Sequence, residues 1–311
     1  LPDEHIELVA TLGFRGEALA SIASVSRLSI RPRTHADEGA SLIEAEGDII
    51  RPVRPIAGPV GTSVSVRNLF FNTPARRKFL RTPQTEQGRC MDVVRDLAMA
   101  HPAVGFTATS DGRKVLEVPP GQSPRERALA VMGTELAEQV VEVHADEMGG
   151  TGGVERWGLA GLPVLAQTTV QAQHVFLNGR VIRDRTIQHA IKEAYRGLIE
   201  PGRHPTCMLM IEMDPGSVDV NVHPAKTEVR FRDTSLMHSI VLRAVREALQ
   251  RADLTPTLGT AAGHGESRAI LPPVQTSPSG VSGFVDFFRR EAPARVQGDL
   301  SYDAVRAALS D

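Results

Sequence analysis

The sequence predicts a mixed α/β (α+β) fold in two domains with a flexible linker behind them. Short stretches at 27–31, 41–46 and 63–67 alternate apolar and polar residues, the period of strands with one buried face. Further along, Ile187, Ile191, Ala194 and Leu198 recur at helical spacing. Pro119-Pro120-Gly121 interrupts these patterns, and from Ala252 the composition turns to Thr, Gly, Ser and Pro with no sustained period. The expected organisation is one domain over 1–119, a second over 120–251 and a linker over 252–311.

Each element has a local signal. An Ala/Leu/Ile-rich run at 18–24 is helical and precedes the strand at 27–31. Thr73 followed by Pro74 supplies an N-cap and a proline at the first helical position, opening a short helix to Leu80. A longer helix from Thr85 puts Cys90, Val93, Val94, Leu97 and Ala98 on one face and stops at His101-Pro102. Asp111-Gly112 between 104–109 and 114–118 is a hairpin signal. Ser123-Pro124 opens a helix ending at Gly133, and strands are expected at 139–144, 154–160 and 174–177. Asn178-Gly179 turns the chain into 180–183, a helix follows over 184–199, then strands at 208–213, 218–222 and 228–231. A helix over 236–249 closes the second domain.

Composition narrows the function classes. Among 311 residues, 41% are hydrophobic, enough for real cores, and one Trp, two Tyr and ten Phe leave packing mainly to aliphatic side chains. The formal charge of −2 makes any basic surface local. Cys90 and Cys207 form no C-x-x-C pair and stand beside no ligand-spaced histidines, so no metal-ligating set and no structural disulfide is expected. A reducing, cytoplasmic setting fits. No run of about 18 apolar residues is present, so no membrane partner is expected.

The densest chemical signal is near the start. Gly13-Phe14-Arg15-Gly16-Glu17-Ala18-Leu19 sets two glycines three apart immediately before a helical run. Such a turn lets backbone N–H groups converge, and a helix N-terminus adds partial positive charge, which together make a phosphate cradle. The plainer alternative is an ordinary turn and cap.

The longer string from Thr11 to Ser26 closely resembles the ATP-lid motif of the MutL family, the mismatch-repair members of the GHKL ATPases. Two more segments agree in the family's order. They are Gly61-Thr62-Ser63-Val64 with Asn72-Thr73-Pro74-Ala75-Arg76-Arg77-Lys78-Phe79-Leu80, and the stretch from Asp219 to Phe231 containing His223-Pro224-Ala225-Lys226. The resemblance runs from about Leu12 to Arg251. It implies the C-terminal part of a GHKL (Bergerat) ATPase sandwich, then a second α/β domain of the ribosomal-S5-domain-2-like type. The family's upstream Glu/Asn helix, its Asp-x-Gly-x-Gly element and its C-terminal dimerisation domain have no counterpart in the sequence. The chain is therefore expected to be an interior piece of a slow ATPase, with little activity alone.

By the same resemblance, the backbone N–H groups of Arg15, Gly16, Glu17, Ala18 and Leu19 wrap the triphosphate of ATP, bound with Mg²⁺ in the intact protein. Lys226 is the catalytic group, reaching the γ-phosphate as a point charge on a long stem. Thr62 lies beside the adenine, to which its hydroxyl bonds directly or through water. Asp219, Asn221 and His223 alternate with valines and read as the polar face of a strand.

Two basic clusters suggest DNA held through its phosphates, without base-specific recognition. One comprises Arg67, Arg76, Arg77, Lys78 and Arg81; the other comprises Arg180, Arg183 and Arg185, with Lys192 and Arg196 on the next helix. Arg183 and Arg185 are the preferred contacts, since the family's DNA groove uses this hairpin region. The implied partners are DNA, a MutS-like mismatch sensor and a second copy of the intact protein; the implied setting is the bacterial cytoplasm at the nucleoid. Two alternatives are another GHKL machine of topoisomerase or chaperone type, and a non-enzymatic DNA-binding scaffold. Phe284-Val285-Asp286-Phe287-Phe288 is either a partner-binding peptide or a locally collapsed patch.

Overall fold

The computed structural model describes residues 17–147, 154–219 and 229–252. It is an α/β protein whose contacts divide it into two compact units at Cys90/Met91. The predicted linker, the Phe284–Phe288 peptide and the strand residues 220–222 lie outside the described residues.

The N-terminal unit begins with α1 (Ala18–Ala23), which runs into the central strand of a sheet. That strand, β1 (Arg27–Arg33), pairs antiparallel with β2 (Ala40–Glu46) on one side and β5 (Gly61–Arg67) on the other. Two short strands without a sequence signal, β3 (Ile49–Ile50) and β4 (Arg54–Ile56), pair with β2. Prolines at Pro52 and Pro55 break the alternation that would have marked them. The core of this unit is small: Ala23, Leu28 and Ala45, with Ile22 and Ile30 against them.

After β5 the chain forms α2 (Pro74–Arg77), shorter than the helix expected to Leu80. Thr73 occupies its N-cap position, but the side chain makes no capping bond, and its buried hydroxyl has no hydrogen-bond partner among the described residues. Its ψ of 74° differs from the extended backbone of an ordinary N-cap. The next helix, α3 (Pro83–Ala100), starts two residues earlier than predicted, with proline again in the first turn.

In the C-terminal unit, β6 (Phe106–Ser110) and β7 (Arg113–Val118) form the expected hairpin. Asp111 and Gly112 both have positive φ, 48° and 76°, the type I′ turn whose twist matches flanking strands. Helix α4 (Pro124–Met132) is held by a full capping box: Ser123 Oγ accepts from Glu126 N–H, and Glu126 accepts from Ser123 N–H at 2.8 Å. The Ser123 N–H and, at 2.9 Å, the Ser123 hydroxyl both donate to the Glu126 carboxylate and hold it below its ordinary pKa.

Arg127, one residue further, carries an arrangement the sequence does not announce. It is fully buried and faces no carboxylate; its guanidinium donates to the carbonyls of Ala98, His101, Pro102, Val104 and Pro119 at 2.6–3.1 Å. Its Nε donates to Gln122 Oε1 at 2.7 Å, and the group lies over the Phe106 ring. The end of α3, the loop after it and the end of β7 are thereby tied to α4. Carbonyls at a helix C-terminus carry partial negative charge, so they stand in for the missing counter-ion. Desolvation lowers the pKa of the group.

The main sheet runs β11-β10-β12-β9-β8. Its strands are β8 (Val140–Glu147), β9 (Val154–Gly161), β10 (Gln173–Leu177), β11 (Arg180–Ile182) and β12 (Cys207–Glu212). β10 and β12 are parallel, joined by a crossover through β11 and α5 (Arg185–Ala194), while the other neighbours are antiparallel. Asn178 and Gly179, at φ 47° and 74°, make the second type I′ turn. Central β12 is buried on both faces. Cys207, Leu209 and Ile211 join α5 and α6 (Thr234–Arg251), whereas Met208 and Met210 join Met99, Ala128, Leu159 and Phe176. At Gly158 a Cβ would strike the Met208 carbonyl oxygen, so β9 and β12 fit together only with glycine there.

Helix α5 ends at Ala194 rather than continuing to 199. Tyr195 leaves helical geometry (φ −92°, ψ 8°) and Gly197 turns back at φ 83°. Tyr195 is buried instead, donating its hydroxyl to Gly161 O at 2.7 Å, and Leu198, expected on the buried face, is 39% exposed. Asp184 and Asp233 cap α5 and α6 through the N–H groups of Ile187 and Leu236.

Candidate functional site

The candidate nucleotide residues fall partly within the described structure. Arg15, Gly16 and Lys226 lie outside it, as do Asn221 and His223. Glu17 is the N-cap of α1 and makes no side-chain capping bond; Ala18 and Leu19 are the first helical residues, and all three are exposed. The first N–H groups of a helix have no partner within it. Among the described residues no side chain caps them, and the nearest acid is the N-cap residue Glu17 itself.

The other end of α1 is fastened by the second motif. Asn72 Nδ2 donates to Ser24 O at 2.8 Å, and Phe70 N–H donates to Val25 O at 2.7 Å. Asn72 therefore satisfies a carbonyl that the end of the helix leaves over. Holding it there demands two non-glycine residues with positive φ, Asn68 at 55° and Phe70 at 61°. Such backbone costs about 1–3 kcal/mol per residue and persists where surrounding bonds fix it. The motif signals Asn72 only as part of a string; its partner on α1 is visible only in the fold.

Thr62 lies exposed near the start of β5, opposite Pro32 of β1. β1 meets the end of α1 at Arg27, so Thr62 stands roughly 16 Å further along that strand, at about 3.3 Å per residue. Arg67, Arg76, Arg77, Lys78 and Arg81 are all exposed. In the C-terminal unit Arg183 and Arg185 are exposed on either side of the α5 N-cap. Arg180, within β11, is half-buried, and desolvation lowers its pKa. Cys90 is an exposed thiol and Cys207 a buried one, which burial pushes up to about 12.

One cluster escapes sequence reading altogether. His189 and Glu193 on α5 meet His238 on α6, with His189 Nδ1 and His238 Nε2 2.9 Å apart. The His-x-x-x-Glu spacing on α5 is a weak signal, and the third member is remote in sequence.

Comparisons with known proteins place this geometry. The chain matches the family model described as DNA mismatch repair protein, C-terminal domain, over residues 128–250. In three dimensions it is similar to the Aquifex aeolicus MutL ATPase domain complexed with ADP. The TM-score is 0.54 at 26% identity, covering 78% of this chain and 80% of that one. A crystal structure of the N-terminal domain of a DNA repair protein shares the fold at a TM-score of 0.67 and 22% identity, covering 82% of this chain and 84% of that one. The fold is thus of the GHKL ATPase class.

Among curated proteins, the DNA mismatch repair protein MutL of Azotobacter vinelandii is 42% identical over 89% of this chain and 45% of its own length. That of Xylella fastidiosa (strain 9a5c) is 41% identical over 98% of this chain and 48% of its own length. The chain belongs to the MutL family of DNA mismatch repair proteins. It spans about half the length of the curated relatives it matches. The topoisomerase and chaperone alternatives give way to this assignment. No helix among the described residues is long and apolar enough to cross a membrane.

Proposed function

We propose that this chain is the nucleotide-responsive, DNA-binding part of a mismatch-repair matchmaker, one that couples recognition by a MutS-like sensor to strand incision and removal. The main-chain N–H groups of Arg15, Gly16, Glu17, Ala18 and Leu19 hold the phosphates of ATP. Thr62 lies beside the base, and Lys226 reaches the γ-phosphate from the second domain. Mg²⁺ accompanies the nucleotide, and no residue of this chain is assigned as its ligand. Arg183 and Arg185, with Arg180 behind them, hold DNA phosphates without reading sequence. The functional domains are 1–119, 120–251 and 252–311, acting in a cytoplasmic, nucleoid-associated homodimer.

The observation that carries this reading is α1: its first turn is exposed with no side-chain cap among the described residues, while the carbonyls just after it, of Ser24 and Val25, are anchored by Asn72 and Phe70. A helix fixed at its far end and exposed in its first turn can take part in a lid that orders around an anion. Membership of the MutL family, and the complex of the Aquifex aeolicus MutL ATPase domain with ADP, support nucleotide as that anion.

The test compares ATP with ADP affinity. A lysine that meets only the γ-phosphate makes ATP bind about 10-fold more tightly than ADP, and Lys226→Ala removes that preference while leaving ADP affinity unchanged. An ATP/ADP ratio that survives the substitution contradicts the assigned role.

A further inference from the structure

We propose that His189, Glu193 and His238 form a binding site for a divalent transition-metal ion of the zinc, nickel and copper class, clamping α5 to α6. His189 and Glu193 stand one turn apart on one face of α5, and His238 enters from the second turn of α6. His238 Nε2 lies 2.9 Å from His189 Nδ1 and 3.4 Å from Glu193 Oε2, and the third edge, His189 Nδ1 to Glu193 Oε2, is 3.9 Å. Metal–ligand bonds of about 2.0–2.1 Å in a tetrahedron place ligand atoms about 3.3 Å apart. The observed edges bracket that value, so an ion fits between these atoms with shifts of a few tenths of an ångström.

The chemistry of the donors selects the ion. Two imidazoles and one carboxylate suit zinc, nickel or copper, whereas magnesium and calcium favour all-oxygen shells. Without a cation, two ring nitrogens facing each other at 2.9 Å need a proton between them; a metal satisfies both lone pairs and the carboxylate together. Two arginines flank Glu193. Arg196 Nη2 lies 4.0 Å from Oε1, leaving Oε2 toward the imidazoles, and Arg246 donates to the Glu193 carbonyl at 3.3 Å. His189 is 65% exposed, so the ion has an entry path, and three protein ligands leave a fourth position to water. The site lies on the helix that begins at Arg185, and it stands independently of the nucleotide assignment.

The experiment titrates Zn²⁺ into the untagged, chelator-treated full chain by calorimetry, with Co²⁺ as a visible-absorption probe of coordination. One Zn²⁺ binds per chain, and His189→Ala, His238→Ala and Glu193→Gln each weaken it at least about 10-fold. Zn²⁺ at about 100 times its Kd raises the unfolding midpoint of the wild-type chain by about 5 °C and leaves the variants unmoved. Should His238→Ala lower the metal-free midpoint, the exposed His189→Ala carries the test. No binding at millimolar Zn²⁺ overturns the proposal, and so does binding that survives the paired histidine substitution.

Discussion

The two units differ in how they are held together. In the C-terminal unit, β12 is covered on both faces, and one continuous cluster runs from Val143 through Ile187, Leu209 and Ile211 to Leu249. Each such aliphatic side chain contributes about 1.5–3 kcal/mol by leaving water. In the N-terminal unit only Ala23, Leu28 and Ala45 form a buried cluster, while Val64 and Val66 of β5 are 52% and 45% exposed and Phe79 is 83% exposed. Surface ion pairs on its sheet, such as Arg27–Glu46 at 2.8 Å and Arg54–Glu44 at 3.1 Å, are worth little in water. Among the described residues, one unit is a scaffold with a large continuous core, and the other is a sheet with few buried apolar side chains.

The largest expected effect breaks the scaffold at Arg127. Arg127→Ala leaves five carbonyls without their donor, two of them in fully buried bonds, and costs about 3–5 kcal/mol. Hydrogen exchange resolved by residue should show faster opening at β10 and β12 and unchanged exchange at β1 and β2. Equal acceleration in both units would erase the contrast drawn between them.

A smaller effect comes with alkali. Burial raises the pKa of Cys207 to about 12, and that of Tyr195 well above its ordinary value, so the folded state keeps protons that the unfolded chain gives up. Raised acids stabilise below their unfolded pKa, and that stability is lost as pH rises, here between about 9 and 12. The slope is at most about 1.4 kcal/mol per pH unit for each group. Denaturant midpoints measured across this window should fall, and Cys207→Ala should flatten the decline.

The smallest effect sharpens the comparison from the other side. Val64→Thr, on an exposed strand position, should change stability by less than about 0.5 kcal/mol. A loss of several times that in thermal melting would mean β5 is buried in solution.

Much of this division is legible in the sequence where a local rule acts alone. Asp111-Gly112 and Asn178-Gly179 announce hairpins because few residue pairs tolerate two positive φ angles in succession. Ser123-Pro124 announces α4 because capping is a contact between near neighbours, and the structure adds Glu126 as the reciprocal partner. The end of α5 is not legible: apolar spacing continues to Leu198, and only the bond from Tyr195 to Gly161 makes an earlier exit favourable. Arg127 and the His189–Glu193–His238 cluster are hidden for the same reason, since their partners come from elements distant along the chain. For the proposed nucleotide site, the glycine spacing only suggests phosphate binding, and the long motif points to the family. The bond from Asn72 that anchors α1 appears only once the strands between them are paired.

The most direct measurement is amide hydrogen exchange of the full-length protein with and without a non-hydrolysable ATP analogue and Mg²⁺. The account predicts exchange slowed about 10-fold or more at Arg15–Leu19, with β10 and β12 unaffected. Amides at Arg15–Leu19 that exchange identically at saturating nucleotide, while protection develops elsewhere, would contradict it.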